Sequence, residues 1–481
     1  MDQTNTKTIT SPAARWAVVA LCLSMLMPSL DTSIANAGLP HMAASLNAPF
    51  GSAQWIILAY LLAITTLIVS VGRLGDLLGT RRLLLFGIGL FTAASLLCGV
   101  APSLWLLVAA RGLQGIGAAI MLSLTIAIVR QAVPSERLGS SIGLLGTMSA
   151  IGTSLGPSLG GVLIAGLGWR SIFLVNVPIG IVNFLLARHF LPVDRHSERP
   201  AARFDLAGTA VLAVTLAAYA LALTSGNGAF GTLNLFLLAA GLAGGASFLF
   251  IESRVASPLL DPSIFRRGEL ASGLAASSLV STVMMASLVV GPFYLVRGLG
   301  LGTLAAGAAL SAGPIFAALA GVPSGKLVDR YGSRRMVGFG LTGIALGAFA
   351  IAFLPAAAGL AGYILPVVVM TSSYALFQAA NNTSMMRSAA ENEKGVISGL
   401  LSLSRNLGLM NGAALMGAIF ASVSATAGRT YEPTTAASVG MRAAFAAAAL
   451  LSLLAFAAIA AGRAYSARTS LRRMHAAACR A

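Results

Sequence analysis

The feature that most constrains this chain is a charged turn that occurs twice. Residues 72–82 read GRLGDLLGTRR and residues 325–335 read GKLVDRYGSRR, so Gly, Leu, Asp, Gly, Arg and Arg recur at an offset of 253 positions. Each copy lies between two long apolar runs. A Gly-containing charged turn repeated at this distance predicts two homologous helical bundles joined head to tail in one chain.

Composition places these bundles in a membrane. Apolar residues make up 57% of the chain and charged residues only 9%, and the mean hydropathy is +0.87. Apolar stretches of about 20 residues, the length that crosses a bilayer core, recur along the sequence. They predict fourteen spanning helices, near 15–38, 53–72, 82–101, 103–129, 139–163, 171–188, 205–224, 233–251, 270–296, 303–323, 336–354, 361–386, 395–420 and 438–462.

The net charge of +17 comes from basic residues that favour one side of the predicted membrane. With the amino terminus in the cytoplasm, all but six of the 31 Lys and Arg fall on cytoplasmic segments. This positive-inside distribution predicts a multi-pass protein of the inner (plasma) membrane with both termini in the cytoplasm, and it leaves no basic surface for nucleic acid. The exceptions are Arg170, Arg297 and Arg429 outside, and Arg111, Arg405 and Arg442 within the spans.

The predicted fold class is an all-α polytopic membrane protein with two six-helix bundles and an inserted two-helix hairpin. The repeat offset matches six spans, their loops and this hairpin. The predicted segments are an amino-terminal bundle at 1–188, a cytoplasmic linker at 189–204, the hairpin at 205–251, a cytoplasmic connector at 252–269, a carboxy-terminal bundle at 270–462 and a basic cytoplasmic tail at 463–481.

The repeated turn is predicted to be a conformational latch. Gly72 and Gly79 permit a tight turn between helices, and Asp76 can cap a neighbouring helix or pair with Arg81 or Arg82. The alternative is that these charges only set topology, and the presence of two aligned copies favours the latch. The corresponding residues of the second copy are Gly325, Asp329, Gly332, Arg334 and Arg335.

Asp31 is the only carboxylate deep within a predicted span. An ionisable group at that depth is costly and is therefore a candidate functional group. By helical rise, Asp31 lies about 10 Å and Arg111 about 12 Å from the outer surface, so the two are natural partners. A proton-linked role for Asp31 is favoured over the alternative, a permanent structural ion pair.

The fifth predicted span carries a stripe of small residues. Gly152, Gly156 and Gly160 recur every four residues and Gly161 follows, which predicts a smooth packing face. Pro157 lies inside this stripe and removes a backbone donor, so it can kink the helix. Ordinary small-residue packing is the alternative, and the proline within the stripe is the specific part of the signal.

Candidate substrate contacts are less specific. Arg405, in SLSRNLGLMNG, either lines a cavity near mid-membrane or bonds helix carbonyls structurally, and the sequence leaves both open. The other candidates either line an adaptable apolar pocket or lie in the core or against lipid, and the sequence leaves these alternatives open. These candidates are Asn36, Met284, Met285, Tyr294, Phe316, Phe377 and Gln378.

With these motifs in view, the chain resembles the 14-helix drug:proton antiporter subfamily of the major facilitator superfamily, the group of EmrB-like multidrug exporters. The resemblance spans nearly the whole sequence. Besides the two turns, it rests on LDTSIANAGLP (30–40), RGLQGIGAA (111–119), GTSLGPSLGG (152–161) and WRSIFLVNVPIG (169–180).

The resemblance implies proton-coupled antiport of small amphiphilic compounds such as drugs, antiseptics or toxic metabolites, and hence multidrug and antibiotic resistance. Asp31 matches the family's first-helix acidic position, Arg111 its fourth-helix arginine and Gly156-Pro157 its antiporter signature. Arg405 resembles the thirteenth-helix arginine of EmrB-related exporters. Substrate, protons and the bilayer are the implied partners, and accessory periplasmic export proteins are left open. Because Asp31 maps onto Met284 in the second half, the spans have a single deep carboxylate, which disfavours divalent cationic substrates and leaves neutral, zwitterionic, monocationic or anionic amphiphiles open.

Two other functions stay open at this point. One is export or import of a single metabolite, and the other is a membrane scaffold or sensor that no longer transports. An enzyme is not predicted, because the sequence has no cluster of His, Cys and carboxylates. A phosphate-binding glycine loop is also missing from the sequence, so neither nucleotide nor any other cofactor or metal is expected.

Overall fold

The computed structural model describes residues 12–132, 135–192, 206–224, 231–252, 267–353, 358–388 and 394–478, which are almost entirely helical. Short helices at Phe50–Ala53 and Ser171–Leu174 precede the second and sixth long helices. The long helices are α1 (Pro12–Ser45), α2 (Trp55–Leu78), α3 (Thr80–Val100), α4 (Leu104–Ala132), α5 (Ser135–Leu167), α6 (Asn176–Phe190), α7 (Leu206–Thr224), α8 (Thr232–Glu252), α9 (Gly268–Phe293), α10 (Thr303–Tyr331), α11 (Ser333–Phe353), α12 (Gly359–Arg387), α13 (Lys394–Ala427) and α14 (Pro433–Ala478).

These helices confirm the predicted all-α fold class. Within the described ranges, twelve helices are long and apolar enough to cross a membrane, and the shorter apolar helices Gly208–Ala222 and Thr232–Phe248 make up the hairpin. The predicted spans fall on the observed helices, but several helices extend further. At its end α9 continues into one turn of π-helix, Tyr294–Gly298, which the apolar pattern of the sequence did not indicate.

The repeated turn has the same backbone geometry in both copies. Gly79 ends α2 with φ +93° and Gly332 ends α10 with φ +83°, and the next helix begins one residue later in each case. An L-residue with a side chain is strained in this region, whereas glycine adopts it readily. The glycine at this position of the motif therefore permits the sharp reversal between consecutive helices.

The two halves pack their helices in the same pattern. In each bundle the first helix packs on the fifth and sixth, the second on the fourth, and the third on the fourth and sixth. The halves meet at two equivalent seams, α5 against α10 and α2 against α13. Each seam joins the fifth helix of one bundle to the second helix of the other, as a pseudo-two-fold relation requires.

The hairpin lies at one of these seams. Helices α7 and α8 pack on each other, and α7 also contacts both α2 and α13. The Ser70 and Thr209 hydroxyls form a buried hydrogen bond of 2.8 Å between α2 and α7. The inserted hairpin is therefore attached to both bundles along one edge of their junction.

Candidate functional site

A buried polar cluster lies inside the first bundle, centred on Asp31 of α1. Arg111 of α4 forms a salt bridge with Oδ2 of Asp31 through Nη1, and the two side chains are 1% and 0% exposed. Oδ1 of Asp31 accepts hydrogen bonds of 2.8 Å from Nε2 of Gln114 and from Nδ2 of Asn176. The structure thus brings together the predicted pair and gives the carboxylate three donors from α4 and α6.

Arg111 makes further contacts through Nε, Nη1 and the face of its guanidinium. Its Nε donates to the carbonyl of Ile56 at 3.0 Å, and Nη1 also donates to Oε1 of Gln114 at 2.7 Å. The guanidinium lies over the ring of Tyr60 at 4.1 Å, a cation–π contact. A buried ion pair is tolerated only when further hydrogen bonds compensate its loss of hydration, and here both oxygens of Asp31 and the Nε and Nη1 atoms of Arg111 have such partners.

The small-residue stripe of α5 packs against two different helices. A Cβ added to Gly152 would lie 2.6 Å from the carbonyl oxygen of Leu26 in α1, and one added to Gly156 would lie 2.5 Å from Cβ of Ser33. Gly160 faces Ile34 of α1 in the same way. The glycines thus permit the backbones of α1 and α5 to approach closely, as small residues do between membrane helices.

Two further residues of the motif, Pro157 and Gly161, face the other half of the molecule. A Cβ added to Gly307 of α10 would lie 2.5 Å from the carbonyl oxygen of Pro157 and 3.1 Å from Cα of Gly161. One turn away, the hydroxyls of Ser158 and Ser311 share a hydrogen bond of 2.6 Å. The predicted helix-5 motif is therefore part of the α5–α10 seam as well as of the α1–α5 contact.

Further contacts close the junction at the end opposite the two repeated turns, called here the far end. Phe50, just before α2, contacts Phe293 of α9 and Phe420 of α13, with ring centroids 4.6 and 5.4 Å apart. Nε2 of Gln54 donates to the carbonyl of Ala413 at 2.8 Å. An additional bond of 3.0 Å joins His41 Nε2 and Thr303 Oγ1. Both halves therefore contact each other through apolar and polar groups at the far end.

The predicted latch residues lie at or near the ends of helices, and two of their arginines take part in contacts with neighbouring helices. Arg81 donates from Nη2 to the carbonyl of Arg188 at the end of α6. In the second half the corresponding contact runs the other way, with Nη2 of Arg463 donating to the carbonyl of Arg334 at 2.7 Å. Asp329 is exposed and has no ion-pair partner among the described side chains.

For the other predicted latch residues, the structure gives at most their position and exposure. The side chains of Gly72 and Asp76 lie outside the described part of the structure. Gly325 is half-buried at the end of α10, and Arg335 is exposed at the start of α11. Arg82 is exposed at the start of α3.

The predicted cavity residues lie on α1, α9, α10, α12, α13 and the π-helical turn. Phe377 of α12 is 0% exposed and packs against Gly340 of α11, in the interior of the second bundle. Met285 of α9 is buried against Gly412 of α13, and Met284 beside it is also buried. Tyr294 is buried in the π-helical turn, with its ring centroid 5.9 Å from that of Tyr363.

The remaining candidates are more polar or more exposed. Asn36 of α1 is buried and donates to the carbonyl of Thr32 at 2.8 Å, while its Oδ1 has no hydrogen-bond partner in the described residues. Gln378 of α12 donates to the hydroxyl of Tyr374 at 2.6 Å. Phe316 of α10 and Arg405 of α13 are exposed.

Three residues that make these contacts were not predicted from the sequence. Gln114 lies three residues after Arg111, on the same face of α4, so helical spacing could have identified it. Asn176 lies in the WRSIFLVNVPIG segment, but nothing in the sequence indicates that it reaches Asp31 from α6. Gln54 lies before α2, and its role at the junction depends on tertiary contacts that a single sequence does not encode locally.

Comparison with known proteins agrees with this architecture. Residues 21–413 match the family model described as Major Facilitator Superfamily. The chain is 32% identical over 409 residues to the multidrug resistance protein Stp of Mycobacterium tuberculosis (strain CDC 1551 / Oshkosh), covering 84% of this chain and 75% of Stp. It is 28% identical over 411 residues to the riboflavin transporter RibZ of Clostridioides difficile (strain 630), covering 85% and 88%.

A solved structure has the same fold. The crystal structure of a bacterial homologue of the human lysosomal transporter Spinster, inward-facing and unoccupied, superposes with a TM-score of 0.68 at 15% sequence identity. The superposition covers 95% of this chain and 98% of that one. The match therefore extends over the whole helical body.

Proposed function

The chain belongs to the Major Facilitator Superfamily, and from that premise we propose that it is a proton-coupled exporter of small amphiphilic compounds that works by alternating access. The observation that carries the proposal is the buried cluster around Asp31. Its carboxylate has no solvent contact and accepts from three donors on two other helices in this arrangement. Proton uptake then requires those donors to move away.

Proton binding is coupled to helix movement in this proposal, because the donors to Asp31 belong to other helices. Arg111 and Gln114 are on α4 and Asn176 is on α6, while Asp31 is on α1. A small displacement of α1 relative to α4 and α6 therefore changes the number of donors that Asp31 retains. Since α1 also packs on the glycine stripe of α5, which reaches the other half at Gly307, a change at the seam can be transmitted to Asp31.

Alternating access is supported by the arrangement of contacts between the halves. The Phe50 cluster, the Gln54 bond and the Ser158–Ser311 bond all lie toward the far end, which the charge distribution predicts to face outward. In this proposal the structure represents a state closed to the outside. Export then requires these contacts to separate while the repeated turns at the other end come together as latches.

The same proposal includes an orientation. The protein spans a bacterial plasma membrane with both termini in the cytoplasm. The two bundles, residues 1–188 and 270–462, move as units. A cysteine placed at Arg195 should react with a membrane-impermeant thiol reagent only from inside, and one at Arg429 only from outside. Labelling of both from the same side would exclude the topology. Accessory periplasmic proteins would act, if at all, on the far end.

A second candidate function is transport of one specific metabolite. It is favoured by the similarity to a protein named as a riboflavin transporter, which is comparable in extent to the similarity to Stp. A multidrug exporter accepts many unrelated compounds, whereas a metabolite carrier accepts one compound and its close analogues.

One experiment separates these functions. Inside-out vesicles are given a panel of amphiphiles and riboflavin, with and without an imposed pH gradient. We expect accumulation of several unrelated compounds that collapses when the gradient is dissipated. Accumulation of a single compound would favour the metabolite carrier. Accumulation that is insensitive to the pH gradient would exclude proton coupling, and no accumulation of any compound would favour the scaffold or sensor.

A further inference from the structure

Arg405 is a charged residue in the middle of a helix that is apolar enough to cross the membrane. It lies about 16 Å along α13 from Lys394, inside the stretch Leu400–Ala427 that is apolar enough to cross a membrane. Its side chain is exposed, and within the described part of the chain it has neither an ion pair nor a hydrogen-bond partner. An unpaired guanidinium at membrane depth is costly unless it faces water or an anion.

The helix geometry indicates where Arg405 points. Residues 405, 409, 412, 416 and 420 follow one face of α13, because they recur at intervals of three and four positions. Phe420 of this face contacts Phe50 of the first half, and Gly412 contacts Met285 of α9. Arg405 therefore lies on the side of α13 between its contacts with α9 and its contacts with the first half, about 22 Å from the closed contacts at Phe420 toward the end that carries the repeated turns.

The opposite side of α13 is occupied. Leu403 and Leu407 lie about 200° around the helix from Arg405 and pack in a cluster with Phe248 of the hairpin. This places Arg405 on the side away from the hairpin rather than against it. The exposed guanidinium is thus directed inward, into the space that a substrate would enter.

The charges of the two halves leave Arg405 without an internal partner. Asp31, the one carboxylate deep within a predicted span, is fully buried, and both of its oxygens are occupied by Arg111, Gln114 and Asn176. The six predicted spans of the second half contain no Asp or Glu, and the acidic residues between 270 and 462 all lie in the loops that join these spans. The space between the halves consequently has a positive charge that no carboxylate of the spans can neutralise.

We propose that Arg405 binds the anionic group of the substrate, so that the preferred substrates are amphipathic anions such as aryl carboxylates and sulfonates. This inference rests on the proposed export function and specifies its substrate class. The planar guanidinium donates two parallel hydrogen bonds to such a group. Cationic amphiphiles are disfavoured, because the same charge repels them.

The test uses two fluorescent probes with the same ring system. 8-Anilinonaphthalene-1-sulfonate is an amphipathic anion, and N-phenyl-1-naphthylamine is its neutral counterpart without the sulfonate. Binding to the purified full-length protein is titrated for the wild type, Arg405→Gln and Arg405→Lys. Arg429→Gln is the matched control, because it removes one exposed arginine beyond the last residue of α13, at the far end.

We expect Arg405→Gln to weaken binding of the sulfonate about 10- to 150-fold, the range of a hydrogen bond to a charged group, and to change binding of the neutral probe less than about twofold. Arg405→Lys should retain part of the sulfonate affinity and Arg429→Gln all of it. Equal losses for both probes would indicate a structural role and overturn the proposal. So would an unchanged sulfonate affinity in Arg405→Gln, or no sulfonate binding by the wild type.

Transport of the same probes into inside-out vesicles separates this inference from the export function. If sulfonate binding depends on Arg405 but neither probe accumulates, export fails and the anion site stands. If both probes accumulate equally in wild type and Arg405→Gln, the anion site fails and export stands.

Discussion

At the scale of single residues, the Asp31 cluster concentrates the polar chemistry of the first bundle in one buried place. Asp31 has its two oxygens divided between a cation and two amides, and Arg111 has an aromatic ring on one face. The sequence identified the two charged partners from their rarity and their matching depth. It could not identify Asn176, because the contact between α1 and α6 depends on how six helices pack.

The first prediction concerns Asp31→Asn, which keeps the shape of the side chain and removes its charge. Because the amide cannot exchange a proton, we expect gradient-driven export in inside-out vesicles to be abolished, while substrate binding to the purified protein is retained. Arg111→Ala should also stop the cycle, since it removes the ion-pair partner of Asp31. Full gradient-driven export by Asp31→Asn would refute the assignment, and the search for the coupling residue would then start at Asp205.

At the scale of helices, the seam between α5 and α10 depends on the absence of side chains. The stripe at 152–161 was predicted as a packing face, but its partner across the seam, Gly307, was not, because only the fold brings the two together. Gly307 and Pro157 approach so closely that a methyl group has no room between them. Close contacts of this kind distinguish one arrangement of the halves from another.

The second prediction is that Gly307→Ala opens the far end. Overpacking of this kind costs about 1–3 kcal/mol, which corresponds to a population shift of about 5- to 150-fold. The reporter is Ser158→Cys in a protein without native cysteines, labelled from outside with an impermeant reagent. Gly321→Ala is the control, since it lies in the same helix and an added Cβ there meets nothing within 4 Å. Equal labelling of the two variants would contradict the prediction.

The third prediction concerns the two turns. We expect Asp76→Asn to reduce the export rate more than it reduces the amount of folded protein, because a latch contact with a charged partner contributes about 1.5–3 kcal/mol to one state. Asp329→Asn should be milder, since Asp329 is exposed without an ion-pair partner among the described side chains. The measurement is the initial export rate per folded molecule. A wild-type rate in Asp76→Asn would rule out a latch at this position.

At the scale of the whole molecule, the repeat explains most of what could be predicted. A turn that recurs after 253 residues implies equivalent bundles, and the observed packing is equivalent helix by helix. What could not be predicted is the position of the hairpin. Its helices are uniformly apolar, so no amphipathic face indicates which side contacts protein and which contacts lipid. Thr209 is one of their few polar residues, and it bonds to Ser70 of α2.

The fourth prediction is that deletion of residues 205–251 leaves a twelve-helix protein that still folds with both termini in the cytoplasm. Removing two spans preserves the direction in which every later helix crosses the membrane, so α9–α14 keep their orientation. Stability should fall, because α2 and α13 lose the contacts of α7 and Ser70 loses its buried partner. Thr209→Val isolates that one bond, which contributes about 0.5–1.5 kcal/mol.

Thermal unfolding in detergent is measured for wild type, deletion and Thr209→Val, together with accessibility of a carboxy-terminal tag in intact cells. We expect the deletion to unfold at a lower temperature than Thr209→Val, with the tag inaccessible from outside in all three. If the deletion abolishes folding while Thr209→Val does not, the apolar contacts of α7 with both bundles, rather than the hydrogen bond, hold the α2–α13 seam together. The hairpin would then be part of the structural core, and the division into two self-sufficient bundles would be wrong.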